Sequence, residues 1–385
     1  MTGKRRTFAE IMGIVLLFSL LSCNGKSNCK TLSESEASRL VKEETAAFLE
    51  RKGEELKPMW DKQVFTYQDL SMPVKVRVLG DKPEDGRSLY ISMHGGGNAP
   101  EELNNQQWEN QIALYSPAEG VYVAPRAPFN DWNMWFRPEI DPLFESLILA
   151  AVIEMDVNPD KVYLMGYSAG GDGVWRLAPR MADRWAAASM MAGHPGEASL
   201  LNLRNLPFMI WMGENDEAYN RNGLAVVKGR ELDSLQKADP AAYIHETHIV
   251  EGKGHWMDRE DAYAVEWMPQ FKRNPFPDQI VWRQEEVVRS RFYWLEVDPE
   301  EARHGMTVRA SHDGNDFTIA QCDYARISIC LNDQLADLDQ PVTVHYGGRK
   351  IFEGKVPRQR ELIRASLEAG NDIRMVYTAK LELVL

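Results

Sequence analysis

The sequence predicts an α/β protein with a mainly parallel sheet, followed by a smaller β-rich region. Three observations support this class. Near-continuous apolar runs such as "GVYVAPRAP" and "KVYLMGYS" are typical of strands buried on both faces. Helical patterns separate these runs, as the connections of a parallel sheet require. After about Pro275 the pattern changes to short strands of period-2 alternation with glycine turns, such as "HDGND" and "YGGRK".

The elements follow one another in an order that fits this class. An amphipathic helix is predicted within Ser33–Lys57, where helix-forming residues carry a partial apolar stripe. The β-like runs "QVFTYQ", "PVKVRVL" and "SLYISM" come next, and the last of them runs into glycines. A helix over Pro142–Met155 has proline near its start. Strands are predicted at "AAASMMAG", "LPFMIWMG" and "AAYIHETHIV", and one late helix at about 358–369.

Length and charge limit the organisation and the partners. A chain of 385 residues is longer than one ordinary core supports, so we expect two domains. We place a tether and helix at 23–60, an α/β domain at 61–275 and a sandwich-like β domain at 284–385. The net charge of −13 argues against nucleic acid as a partner, because phosphate binding needs a basic surface. It also argues against broad attachment to anionic lipid.

The N-terminus has the pattern of an export signal. "MTGKRR" is basic, and the apolar run "IMGIVLLFSLL" is shorter than the roughly 20 residues of a membrane-spanning helix. "LLSC" resembles the bacterial lipobox, in which the cysteine is lipidated, although Leu21 is bulkier than usual there. We therefore expect a lipoprotein signal peptide at 1–22 and a lipid anchor on Cys23. An ordinary signal peptide cleaved elsewhere is the alternative.

The remaining cysteines leave their role open. Cys322 and Cys330 either form a disulfide, which an envelope compartment permits, or are small apolar residues in a β region. The sequence contains no C-x-x-C pair, and no metal site is predicted.

A glycine-flanked serine is the first candidate for chemistry. "GYSAG" places Ser168 between the strand "KVYLM" and the helix "GDGVWRLA", which is the context that a G-x-S-x-G nucleophile turn requires. A serine hydroxyl is a weak nucleophile at neutral pH, so a base must accept its proton. A lone motif of this kind also occurs as an ordinary turn. Whether Ser168 is a nucleophile therefore depends on whether the chain supplies a base and an acid elsewhere.

Two later loops supply a base and an acid in the expected order. Asp216 follows the apolar strand that ends at Gly213, and His255 lies in the loop "EGKGHW" after the next strand. Residues after parallel strands meet at one edge of the sheet, where open α/β sheets build their sites. Glu214 and Glu217 are neighbouring carboxylates that compete for the same role.

The glycines of "MHGGG" supply the donors for an oxyanion. They follow an apolar strand, and Gly96 is the first choice for the backbone N–H, with Gly97 as the alternative. The second donor is the N–H of Ala169, at the start of the helix after the serine.

Taken together, "HGGG", "GYSAG", "GENDEAY" and "KGHW" resemble the α/β-hydrolase superfamily, and specifically secreted bacterial esterases of the polyhydroxybutyrate-depolymerase and feruloyl-esterase type. The resemblance covers about residues 62–271. It implies Ser168 as nucleophile, His255 as base and Asp216 as the residue that orients the base. It implies no metal and no organic cofactor.

The expected function is a serine carboxylic ester hydrolase at the cell envelope, acting on a small-molecule or polysaccharide ester such as an acyl or feruloyl ester. Trp132, Trp135 and Trp256 are candidate substrate-binding residues, although such aromatics also pack loops onto a sheet. One alternative is a serine peptidase of the prolyl-oligopeptidase kind, but the stretch before Val64 is too short for the propeller of that family. Another is an inactive, glycan-binding lipoprotein.

Overall fold

A long helix, α1 (Glu34–Lys62), opens the described part of the chain. The computed structural model describes residues 31–385, so the predicted signal peptide and Cys23 lie outside the described residues. Ser33 begins α1 with a capping box: its hydroxyl accepts the N–H of Glu36, whose carboxylate accepts the N–H of Ser33. The predicted helix is therefore present, and it extends one turn further than Lys57.

An eight-stranded sheet forms the centre of the molecule, in the order β1-β2-β4-β3-β5-β6-β7-β8. Strand β2 pairs antiparallel with both β1 and β4, and the other neighbours are parallel. This confirms the mainly parallel sheet. The strands are β1 (Val64–Tyr67), β2 (Leu70–Leu79), β3 (Arg87–Met93), β4 (Gly120–Pro125), β5 (Val157–Tyr167), β6 (Ala187–Met191), β7 (Phe208–Gly213) and β8 (His245–Val250).

Helices connect the parallel strands. Strands β4, β6 and β7 are buried at every residue, which matches their apolar sequences. The helices are α2 (Glu101–Leu114), α3 (Ile140–Met155), α4 (Ala169–Arg180), α5 (Arg221–Ala238) and the short α6 (Ala264–Trp267). Single 3₁₀ turns occupy Leu201–Asn205, Ala218–Asn220, Glu260–Tyr263 and Met268–Gln270.

Two smaller sheets and one helix follow, as the change of pattern after Pro275 predicts. One sheet has the order β10-β11-β14-β17 and the other the order β16-β15-β13-β12-β9, in which only the β13–β15 pair is parallel. The elements are β9 (Gln279–Arg283), β10 (Arg291–Phe292), β11 (Leu295–Glu296), β12 (Thr307–Asp313), β13 (Asp316–Cys322), β14 (Arg326–Leu331), β15 (Val342–Tyr346), β16 (Arg349–Gly354), α7 (Arg360–Gly370) and β17 (Ala379–Val384).

The central sheet and the C-terminal strands share a buried ionic junction, which we define as Asp160, Arg184, Arg273 and Asp372. Arg273 lies within 2.8 Å of Asp160 and 2.5 Å of Asp372, and Arg184 lies within 2.6 Å of Asp372. Residues 32–385 form one compact unit. The boundary between two domains at 275–284 stays a prediction.

The two cysteines of the C-terminal strands carry free thiols. Burial, with a smaller contribution from the Glu296 carboxylate, raises the pKa of Cys330 to about 12, which keeps this thiol protonated and unreactive. Of the two interpretations of Cys322 and Cys330, the structure has the unpaired one. None of the helices within residues 31–385 has the length and apolar character that crossing a membrane requires.

Candidate active site

Ser168 occupies a strained turn between β5 and α4. Its backbone is left-handed, with φ 57° and ψ −119°, which is rare for a residue with a side chain. The turn depends on the flanking glycines, because a Cβ on Gly166 would lie 2.4 Å from the carbonyl oxygen of Gly170. A Cβ on Gly170 would lie 2.1 Å from the carbonyl oxygen of Met93 in β3. The turn therefore presents the Ser168 hydroxyl at the N-terminus of α4.

The structure brings Asp216 and His255 to this hydroxyl. His255 Nδ1 lies 2.7 Å from Asp216 Oδ2, and His255 Nε2 lies 2.9 Å from Ser168 Oγ. Asp216 is buried, with 3% of its surface exposed. A carboxylate can only accept, so Nδ1 carries the proton that it donates to Asp216. Nε2 of the neutral ring is then free to accept the hydroxyl proton.

Hydrogen bonds between loops hold the acid and the histidine in place. The N–H of Asn215 donates to the carbonyl of Lys253 at 2.7 Å, and the Glu214 carboxylate accepts the N–H of Gly252 at 2.8 Å. The hydroxyl of Tyr167 donates to the carbonyl of His255 at 2.6 Å. Of the competing carboxylates, Asp216 is thus the one paired with the histidine, and Glu214 supports its loop.

The glycine loop after β3 distinguishes the two candidate oxyanion donors. The N–H of Gly97 donates to Asn104 Oδ1 at 2.8 Å and is therefore occupied. The N–H groups of Gly96 and Ala169 donate to no acceptor within the described residues. This arrangement favours Gly96 over Gly97 as the partner of Ala169.

A neutral histidine anchors the same loop. His94 Nδ1 lies 2.6 Å from the carbonyl of Gly95, and its Nε2 accepts the N–H of Ala127 at 3.2 Å. Burial lowers the pKa of His94 to about 3. The ring therefore stays uncharged and ties the glycine loop to the end of β4.

The three candidate tryptophans have different positions. Trp132 and Trp256 are 62% and 50% exposed and line the cleft. Trp135 is fully buried, and its Nε1 donates to the carbonyl of His94 at 2.9 Å. The prediction that Trp135 contacts substrate is therefore wrong, because this residue packs the loop onto the sheet and supports the glycine turn.

Two pockets flank the serine. The histidine-side pocket, of about 620 Å³, is lined by Ser168, His255, Trp256 and the apolar side chains of Leu103 and Leu114. The oxyanion-side pocket, of about 550 Å³, contains the glycine loop and a set of polar and aromatic groups, of which the most important are Trp132, Asp172, Arg176, Tyr219 and Arg221. The cleft thus has one largely apolar half and one half in which charged and aromatic side chains are mixed.

Sequence reasoning missed the supporting residues because they have no local signature. Asn104 and His94 act through contacts that only the folded chain creates. Tyr167 stands inside the serine motif, yet its contact with the His255 loop spans 88 residues. Within the described part of the chain, no group of three or more His, Cys, Asp or Glu side chains is arranged to hold a metal ion.

The strand order, with a serine after β5, an aspartate after β7 and a histidine after β8, defines an α/β-hydrolase fold. No protein-family model matches the chain. A curated relative, "Putative esterase NocK" of Nocardia uniformis subsp. tsuyamanensis, is 25% identical over 179 residues, which cover 43% of this chain and 51% of the relative. The chain thus spans about half the length of that protein.

Two of the solved structures that the chain matches are described as esterases. A thermostable esterase matches with a TM-score of 0.42 and 19% identity, over 55% of this chain and 62% of its own. A ferulic acid esterase matches with a TM-score of 0.35 and 14% identity, over 52% of this chain and 97% of its own.

Proposed function

We propose that this protein is a carboxylic ester hydrolase that acts through an acyl-enzyme on Ser168. The observation that carries the proposal is the hydrogen-bonded series Asp216–His255–Ser168, which lies beside two backbone N–H groups that have no acceptor within the described residues. A nucleophile, a base and an oriented acid, placed next to a position for an oxyanion, are the parts that acyl transfer requires. The relative named as an esterase supports an ester as the substrate.

Acylation uses each of these groups. Ser168 Oγ attacks the ester carbonyl carbon while its proton passes to His255 Nε2, and Asp216 stabilises the imidazolium. The carbonyl oxygen becomes an oxyanion, which accepts the N–H groups of Gly96 and Ala169. Each such donor typically contributes about 10²–10³ in rate. The intermediate then expels the alcohol oxygen, which takes its proton from His255, and the acyl group remains on the serine.

Deacylation repeats the sequence with water. His255 Nε2 accepts a proton as the water oxygen attacks the acyl carbon, and the same amides hold the second oxyanion. Collapse returns the proton to Ser168 Oγ and releases the carboxylic acid.

The finer part of the proposal concerns substrate and location. We propose an acyl or feruloyl ester of a polysaccharide as the natural substrate. We place the enzyme at the bacterial cell envelope, held by a lipid on Cys23. Metabolic labelling with a fatty-acid probe tests the anchor, because the label should be present in the wild type and absent from Cys23→Ala.

The central experiment compares the wild type with Ser168→Ala on p-nitrophenyl acyl esters and peptide p-nitroanilides. We expect ester hydrolysis by the wild type and a loss of about 10⁴–10⁶ in kcat in the variant. Ser189→Ala is a matched control, because this buried hydroxyl in β6 lies outside the site and has no hydrogen-bond partner within residues 31–385. An alkyl fluorophosphonate should label the wild type and the control, but not Ser168→Ala.

Two results would overturn the proposal. One is a wild type that hydrolyses no ester and takes up no fluorophosphonate. The other is hydrolysis of anilides with no hydrolysis of esters, which would assign the same series of residues to a peptidase.

A further inference from the structure

The oxyanion-side pocket contains hydrogen-bonding groups that the ester chemistry does not use. Asp172 lies one helical turn after Ser168, and its N–H donates to the Ser168 carbonyl at 2.9 Å. One carboxylate oxygen accepts the N–H of His194 at 2.6 Å, and the other accepts no hydrogen bond within residues 31–385. Burial raises the pKa of Asp172 to about 6, against the lowering effect of Arg221 and Arg176. This second oxygen can therefore accept a hydrogen bond from water or from a ligand in the pocket.

Two arginines complete the polar wall. Arg176 is held 2.9 Å from Glu286, and its guanidinium lies over the ring of Phe136. Arg221 lines the pocket and lies 3.8 Å from Asp216 at its nearest, and its guanidinium donates no hydrogen bond within the described residues. The pocket therefore offers both an acceptor and a donor that are not satisfied by protein groups.

Two aromatic rings stand at the rim of the pocket. Trp132 is 62% exposed and meets Phe136 edge to face, and Tyr219 is 79% exposed. Tyr219 and Asn220 both have φ of 57°, a backbone conformation that residues with side chains rarely adopt. The Arg221 guanidinium lies 5.0 Å from the centre of the Tyr219 ring. The loop thus holds a large aromatic side chain in water at a cost in backbone strain, which is typical of a binding site.

The charge balance limits what the pocket binds. Asp172, Glu197 and Glu286 face it together with the two arginines, so it has no excess of positive charge for an anionic ligand. A purely apolar acyl chain would displace water from the carboxylate of Asp172 and the guanidinium of Arg221 and leave both without partners. A sugar ring fits both limits, because its faces carry C–H groups that cover aromatic rings and its edge carries hydroxyl groups that donate and accept.

We propose that the oxyanion-side pocket is a sugar-binding subsite, in which Trp132 and Tyr219 cover the ring, Asp172 accepts from its hydroxyl groups and Arg221 donates to them. This rests on the proposed function for the position of the ester, and it adds the residues that select the sugar. Asp172 is then a specificity residue, and its carboxylate disfavours substrates that place an anionic group beside Ala169.

The test is a ratio of specificities. Wild type, Tyr219→Ala and Asp172→Asn are compared on monoacetylated methyl pyranosides and on p-nitrophenyl acetate. We expect each variant to lower kcat/KM for the sugar acetates relative to p-nitrophenyl acetate by at least tenfold, mainly through KM. Tyr67→Ala, a partly exposed tyrosine of β1, is the control and should leave the ratio unchanged. Thermal unfolding checks that the variants are folded, because a loss of structure lowers both activities together. A ratio that stays at its wild-type value in the folded variants would overturn the proposal.

A binding experiment separates this proposal from the proposed function. Saturation-transfer NMR with unacetylated methyl xyloside, glucoside and galactoside is performed on Ser168→Ala protein, with and without Tyr219→Ala. Binding that Tyr219→Ala abolishes supports the subsite, even if the wild type proves to hydrolyse no ester. Ester hydrolysis without binding of any of the three sugars, and without a preference for sugar acetates, overturns the subsite and leaves the proposed function intact.

Discussion

Charged side chains cluster in two regions of this molecule, the cleft beside Ser168 and the buried ionic junction, and their hydrogen bonding differs between the two regions. In the junction, Arg273 contacts Asp160, Asp372 and the carbonyl of Asp183 at 2.5–3.3 Å. In the cleft, one carboxylate oxygen of Asp172 and the guanidinium of Arg221 form no hydrogen bond within the described part of the chain. Among the four junction residues, Arg184 Nε is the one side-chain nitrogen or oxygen without a hydrogen-bond partner within residues 31–385. The paired groups of the junction hold the fold, whereas the unpaired groups of the cleft face a pocket and are available to a ligand.

Substitutions in the cleft should therefore change rates more than stability. Asp216→Asn keeps the shape of the side chain but can donate to Nδ1 of His255, which favours the tautomer that cannot accept the serine proton at Nε2. We expect kcat to fall by about 10⁴. The measurement is kcat on p-nitrophenyl acetate, with the thermal midpoint of unfolding as the check on folding. Asp313→Asn, on an exposed end of β12, should alter neither. A fall of less than tenfold in Asp216→Asn would contradict the assigned orientation.

Substitutions in the junction should do the opposite. Arg273→Met leaves Asp160 and Asp372 buried without their cation, and removal of one partner from a buried pair costs about 3–5 kcal/mol of the free energy of unfolding. Urea denaturation measures this loss, and kcat per folded molecule should stay close to that of the wild type. The double variant Arg273→Met, Asp372→Asn should recover part of the loss, because the stranded charge is then removed. A loss below about 1 kcal/mol would show that the junction contributes little.

Asn104 shares a property with each region: its side chain is buried, like the junction residues, and it supports the active site, like the cleft residues. Its side chain accepts the N–H of Gly97 at 2.8 Å and donates to the carbonyls of Ala99 and Pro100. Asn104→Ala should loosen the glycine loop and lower kcat by about 10–10², less than the loss of a whole oxyanion donor. KM should change little. A rise in KM by this factor, with kcat unchanged, would indicate that Asn104 shapes substrate binding and not the oxyanion position.

Acid should lower the contribution of the junction to the free energy of unfolding, by less than the Arg273→Met substitution does. Burial by itself would raise the pKa of Asp372, but Arg273 and Arg184 hold this pKa well below its usual range. A depressed pKa gives stability that is present above the unfolded value of about 3.9 and is lost as the pH falls toward the folded value. The gap in unfolding free energy between wild type and Asp372→Asn should therefore narrow between pH 5 and pH 3. A gap that stays constant would contradict the shift.

The sequence predicts the candidate site better than it predicts what surrounds the site. Ser168, Asp216 and His255 are each marked by a local pattern, a strand that ends in a short loop, and parallel strands bring such loops to one edge. Asn104 and Asp172 have no such mark, because their roles depend on distances between segments. The prediction for Trp135 is wrong for a related reason. Trp132 and Trp135 lie in the same loop, and the sequence does not show which of the two side chains is exposed, because their packing in the folded chain decides it.

The same limit applies to the C-terminal strands. Their alternation and glycine turns predict a β-rich region, and the helix near 358–369 is present as α7 (Arg360–Gly370). Nothing in the sequence marks Arg273 and Asp372 as partners, because ionic pairs between distant segments leave no periodic pattern. The unpaired Cys322 and Cys330 follow equally from the folded arrangement.

The junction also has a consequence for the order of events during synthesis. Arg184 contacts a carboxylate that lies 188 residues later in the chain, and Arg273 contacts the same carboxylate 99 residues later. During translation, Ser168, Asp216 and His255 are therefore all synthesised well before Asp372. Until then Arg273 has only Asp160, and Arg184 only Glu145, as a carboxylate partner, so the ionic junction is incomplete until the end of the chain is made. Contacts of such long range slow folding and lengthen the time in which an incomplete chain is exposed to aggregation.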